Sequence, residues 1–172
     1  MNRGGWILLI GSAVLAGVVA AMATRERARS PEEDLRAIGD RMRRGRIDRE
    51  EALSELDHLV DRTLESGDYG IVGRVRLARG RILMDIDALD RAREDFQLVL
   101  GLGVLPPKEA REVEDDLIDL DLRAGKFAQG LERVKALIDR DPNDATAWAR
   151  KGEMHRGMAE RALGQAREII AN

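Results

Sequence analysis

Between Arg3 and Arg25 the chain carries no ionisable side chain. The run from Gly4 to Thr24, GGWILLIGSAVLAGVVAAMAT, spans roughly 30 Å as a helix, the thickness of a bilayer core. Trp6 stands where an interfacial aromatic anchor is expected, and the Gly, Ala and Ser content is ordinary for membrane helices. A buried core helix is the alternative, but so long an apolar circumference is costly in a small domain. A cleavable signal peptide competes as well, because Ala21-Met22-Ala23 has the small-x-small cleavage pattern. Against cleavage stand the length of the run and the basic stretch Thr24–Arg29 that would open the mature chain. Residues 1–24 are therefore expected to be a transmembrane signal-anchor. Arg25, Arg27 and Arg29, with Arg36, Arg41, Arg43 and Arg44 further on, outweigh Arg3 and the terminal amine. The positive-inside rule then favours the cytoplasmic side of the membrane for the rest, with a periplasmic location as the alternative.

The remainder has the composition of packed helices. Of the 172 residues 35% are charged and only 3% aromatic, a poor match to a β-sandwich. There is no cysteine, which excludes disulfide frameworks and thiolate metal sites. Arg3, Arg25, Arg27 and Arg29 against Glu26 give residues 1–30 a charge of +3, so the overall −3 leaves the rest at −6. An acidic domain is the wrong sign for nucleic acid, whose binding releases counterions from a basic face.

Residues 25–30 read as a polar linker. Ser30-Pro31-Glu32-Glu33 then has the cap, the first-turn proline and the glutamate of a capping box. Leu35, Ile38 and Met42 form the apolar stripe, and Gly45 ends the helix. Asp48 and Glu51 make a second capping box, followed by Ala52, Leu53, Leu56, Leu59, Val60 and Leu64 at helical spacing. Gly67 stops that helix, so residues 31–66 are expected to form a helical hairpin.

Beyond it a pattern recurs. Gly80, Ala92 and Phe96 sit at the separations of positions 8, 20 and 24 of a 34-residue tetratricopeptide (TPR) repeat. Leu83, Leu89, Val99 and Leu100 fill further apolar positions, and Asp87 is a candidate cap. Gly125, Phe127, Gly130, Leu131, Val134, Leu137, Ile138 and Asp141-Pro142 fill positions 15 to 32 of the next unit. A third begins at Asp144-Ala-Thr-Ala-Trp148, with Gly152, Gly157, Ala162 and Ala166 in similar roles. Residues 67–172 thus resemble the TPR family, with units at about 73–106, 111–144 and 145–172. The linker Gly101–Lys108, rich in Gly and Pro, absorbs four extra residues in the first. Small residues at positions 8 and 20 let the helices of a hairpin approach, the bulky residue at 24 packs into the neighbouring hairpin, and the proline breaks the chain. Arg76 and Glu114 depart from the pattern at position 4, where a large apolar residue is usual. The third unit has a short first helix and no clear solvating helix after it.

The expected fold is therefore all-α: an N-terminal transmembrane helix followed by a TPR-like α-solenoid of about four helical hairpins. The architecture resembles the single-anchor TPR proteins of bacterial envelope assembly. Residues 35–56, with Arg43-Arg-Gly45-Arg-Ile47-Asp-Arg-Glu-Glu51, resemble more weakly the membrane-proximal hairpin of cytochrome c biogenesis TPR factors. Those factors carry a second membrane helix before their repeats, which this stretch lacks.

The residues argue against catalysis. His58 and His155 are far apart and outside any metal-spaced cluster. No serine or threonine sits in a nucleophile elbow, and Gly101-x-Gly103 lacks the third glycine and the strand of a dinucleotide loop. No enzyme activity, cofactor or metal is expected.

What the TPR resemblance implies is a groove for protein. Its concave positions fall on Arg74, Leu77, Arg81 and Met84, then on Glu112, Asp115, Asp119 and Leu122. In the third unit they fall on Thr146, Ala149, Glu153 and Arg156. Such a groove runs from basic to acidic and departs from the Lys/Asn clamp of chaperone-binding relatives, so a basic or mixed-charge segment is the expected ligand. The alternative is that these charges only solubilise the face. The expected partners are an unidentified protein, a membrane through residues 4–24, and a second copy of the chain, with no nucleic acid.

Overall fold

The computed structural model describes residues 29–171. The expected anchor at 4–24 and nearly all of the linker lie outside them. Among the described residues no helix is long and apolar enough to cross a membrane, and every regular element is a helix. In chain order these are α1 (Pro31–Arg43), α2 (Arg49–Ser66), α3 (Tyr69–Asp85), α4 (Leu89–Leu102), α5 (Pro107–Arg123), α6 (Phe127–Arg140) and α7 (Ala145–Ala171).

Local chemistry sets most of the boundaries. At α1 the Glu33 amide donates to Ser30 Oγ at 3.2 Å and the Ser30 amide donates to Glu33 Oε2 at 3.0 Å. Asp48 and Glu51 repeat that reciprocal pair at α2, so two otherwise orphaned amides are satisfied at each start. Gly67 closes α2 in the left-handed region at φ 70°, which an L side chain rarely adopts. Asp68 then caps α3 by accepting from the amides of Gly70 and Ile71.

Asp87 does not cap α4. It takes the same left-handed conformation, at φ 65°, in the α3–α4 turn, and its carboxylate accepts from Arg123 at 2.5 Å. The boundary before α7 is held by three bonds. Asp141 accepts from the Asn143 amide, Asp144 from the Ala147 amide, and the Trp148 indole donates to the Pro142 carbonyl at 2.9 Å.

Consecutive helices pack as antiparallel pairs α1/α2, α3/α4 and α5/α6, and α1 also touches α3 and α5 touches α7. Phe96 is fully buried, and its ring fills the space over Gly80, where a Cβ would lie 2.6 Å from Cε1. The ring therefore packs inside its own hairpin as well as in the core that continues to Val113 and Leu117. That core runs from Ile38 to Leu120. A smaller one joins Ile118, Val134, Leu137, Ala147 and Met154, so α5 is the wall between the two.

Buried charge accompanies the apolar core. Asp95 on α4, 1% exposed, accepts from Arg76 Nη1 at 2.9 Å and from Arg79 Nε and Nη2 at 2.7 Å, both arginines lying on α3. Asp121 on α5 is fully buried between Arg93 of α4 and Arg133 of α6. The departures at position 4 find their reason here. Arg76 bonds α4, and Glu114 bonds Arg140 of α6 at 2.6 Å, so each replaces an apolar contact between paired helices with an ionic one.

The expected fourth hairpin is not formed, because α7 runs unbroken through Gly157. No proline or capping side chain interrupts residues 155–160. Gly157 instead lets the Phe127 ring of α6 press against the helix backbone, in space that a Cβ would need. The structure is therefore three hairpins and one long terminal helix, whose first helical stretch is extended rather than short.

Candidate protein-binding face

The odd-numbered helices lie side by side, and charged pairs cross each gap between them. Arg74 of α3 pairs with Glu32 of α1. Arg81 of α3 reaches Glu112 at 3.4 Å and Asp116 at 3.7 Å, both on α5. Arg150 of α7 binds Asp119 of α5 at 2.8 Å and Glu153 of its own helix at 2.9 Å. At the edge of this face Arg111 donates to Asp115 and to Asp144, the latter at 2.5 Å.

This arrangement brings together some of the groove residues and leaves others out. Arg81 and Glu112 meet directly, while Asp119 and Glu153 share Arg150. Asp115 sits one turn from them, held by Arg111. Arg74 is engaged at the far end, and Arg156, Thr146 and Ala149 are exposed on α7. Leu77 is 7% exposed and belongs to the core, so it offers a ligand nothing. Met84 and Leu122 are half-buried against the larger and the smaller core respectively. The first unit is not the free basic end the sequence implied, because acids from α1 and α5 neutralise its arginines.

Five participants were not among the groove residues read from sequence: Glu32, Arg111, Asp116, Asp144 and Arg150. For Asp116 a signal existed, since Asp115, Asp116 and Asp119 stand at adjacent and i,i+3 or i,i+4 positions of one helix. Asp116 Oδ2 is buried and accepts no hydrogen bond. Burial pushes the Asp116 carboxyl above its ordinary range, Arg81 opposes the rise, and Asp119 and Asp115 add to it. Burial also raises Asp119, against the pull of Arg150 and with the push of Glu153 and Asp115. Helix α5 carries seven acidic residues against three basic ones. The middle of the face thus holds more carboxylate than its arginines compensate.

His58 and His155 are both exposed. Among the described residues no three metal-ligating side chains come together.

No family model matches this chain, and neither does any curated protein sequence. A solved structure does. It is the crystal structure of a point variant of nearly identical TPR-like repeats from Podosopora anserina, whose description connects it with a kinesin light chain. It superposes with a TM-score of 0.65 at 14% sequence identity, over 90% of this chain and 80% of that one. The fold is TPR-like. At that identity the likeness reaches the backbone only. The TPR-like stack explains why the odd helices share one face: in such repeats each hairpin contacts only its neighbours, so corresponding helices line up.

Proposed function

We propose that this chain is a membrane-tethered scaffold whose TPR-like stack binds a basic or mixed-charge segment of another protein along the odd-helix face. The observation that carries the reading is the surplus of carboxylate on α5, where Asp116 Oδ2 accepts no hydrogen bond and burial raises both Asp116 and Asp119. Arg81 and Arg150 already face Asp116 and Asp119, so a cationic side chain docking there adds charge where carboxylates outnumber arginines, and the charges select against acidic ligands. The scaffold role follows from TPR-like architecture together with the lack of any recognisable constellation for catalysis.

The tether is supported by the uncharged run at 4–24 and its basic flank. Holding the stack at a membrane raises its effective concentration near other membrane components. A role in envelope or complex assembly on the cytoplasmic side of a bacterial inner membrane fits that geometry.

Photo-cross-linking groups introduced in turn at Glu112, Ala149 and Glu94 of the full-length protein test the face. All three positions are exposed, the first two on odd helices and Glu94 on α4. The expected outcome is salt-sensitive capture of the same protein from Glu112 and Ala149 but not from Glu94. Equal capture from all three sinks the reading. The mass of the mature amino terminus tests the tether, because a chain starting at Thr24 is an exported, cleaved adaptor instead.

A further inference from the structure

The last turns of α7 present an apolar face that nothing in the described residues covers. Every residue from Met158 to Ala171 is exposed, including Leu163 at 60%, Ile169 at 77% and Ile170 at 85%. At about 100° per residue, Met158, Ala159, Ala162, Leu163, Ala166, Ile169 and Ile170 fall on a single arc of roughly 140°. The face by which the first half of α7 joins the stack is a different one. Ala147, Met154 and Gly157, which meet α6 and the smaller core, border the Met158 edge of that arc but lie roughly 130–150° from the centre of its far side, formed by Ala159, Leu163, Ala166 and Ile170. Met158 and Ala162 line a groove beside Phe127 of α6, whereas Ala159, Leu163, Ala166 and Ile170 form a second surface, turned away from the protein's own core.

We infer that this stripe is a homodimerisation surface, on which the α7 tails of two copies pair antiparallel. In heptad terms Leu163 and Ile170 occupy a, Ala159 and Ala166 occupy d, and Glu160 and Arg167 occupy e. Antiparallel pairing puts each a residue opposite a d residue of the second copy. Every layer then holds one large and one small side chain, Leu163 with Ala166 and Ile170 with Ala159. Parallel pairing stacks Leu on Leu and Ala on Ala, which alternates bulges with voids.

The charges choose the same arrangement. Antiparallel helices bring like flanks together, so Glu160 meets Arg167 of the second copy and the reverse pair forms by symmetry. The parallel alternative sets Glu160 beside His155 and Arg167 beside Ala162 of the second copy, and forms no Glu–Arg pair. Glu160, Arg161, Arg167 and Glu168 sum to zero, which gives the segment no net attraction to an anionic membrane or to nucleic acid.

The antiparallel geometry places the two stacks at opposite ends of the paired helices, so their odd-helix faces stay open. Two heptads support a reversible pair, one that a shared membrane surface strengthens by effective concentration.

The test uses full-length protein in detergent and sedimentation across a concentration series. A concentration-dependent dimer is expected. Glu160→Arg or Arg167→Glu alone, each setting like charges opposite, should weaken it by about tenfold, and the double swap should restore it. Because the chain has no cysteine, Ala159→Cys and Ile170→Cys proteins can be mixed and oxidised; the mixed disulfide should dominate. A strict monomer, a dimer indifferent to both single reversals, or a predominance of homodisulfides overturns the proposal. So does a double swap that fails to rescue, which points to a different protein as the occupant. Circular dichroism of each variant confirms that the helices persist.

Discussion

Asp95 and Glu114 are both acids facing an arginine across a hairpin, and burial separates what each contributes. Asp95 is 1% exposed and satisfies two arginines whose own side chains are about one-sixth exposed. Replacing it with alanine leaves the Arg76 guanidinium buried without a counter-charge, while Arg79 keeps Asp57 at 2.7 Å, so Asp95→Ala should destabilise by about 3 kcal/mol. Glu114 faces Arg140, whose side chain is 59% exposed and keeps most of its hydration. Glu114→Ala should cost under about 1 kcal/mol. Urea unfolding of the two variants side by side checks the contrast, and similar losses would contradict it. From the sequence alone Asp95 is indistinguishable from any solvated helix acid. Its burial follows from contacts 16 to 19 residues distant in the chain, beyond the reach of helical periodicity.

At the scale of an element, the ends of α1 and α2 were legible because capping is local: the donors and acceptors stand three residues apart. The continuity of α7 was not. Gly152 and Gly157 looked alike, two small residues in a template that expects a hairpin. In the fold nothing lies within 4 Å of where a Cβ on Gly152 would stand, whereas Gly157 lies under the Phe127 ring. Gly152→Ala should therefore raise stability by about 0.5–1 kcal/mol through helix propensity alone. Gly157→Ala should lower it by about 1–3 kcal/mol, because the ring must be displaced. Thermal melts of the pair should move in opposite directions. The alternation of Leu163 and Ile170 with Ala159 and Ala166 was equally present in the sequence, but it had no meaning until the helix was seen to run past its own stack.

Across the whole molecule, the odd-helix face links α1 to α7 through charge, and that sets its response to pH. The folded state raises the carboxyls of Asp116 and Asp119 above their ordinary value of 3.8. Such groups favour folding most when protonated, and their contribution declines as pH climbs from the ordinary carboxylate range through the raised folded values. Asp116→Asn removes one of them. The variant should melt above the parent at pH 7, and the gap should shrink on acidification and close as pH falls below the ordinary carboxylate value of 3.8. A gap that persists or widens on acidification contradicts the assignment.

The helical repeat and the capped starts of α1 and α2 could be read from the chain, since each depends on residues within a helical turn or a repeat period. The tertiary structure decided which charges are buried, that the first unit's arginines are neutralised by α1 and α5, and that Leu77 belongs to the core. The uncharged run at 4–24 remains a reading of composition. The terminal helix reverses that order: its apolar arc is written in fourteen consecutive residues, but only the packing of Gly157 against Phe127 turns the arc outward, away from any core of its own.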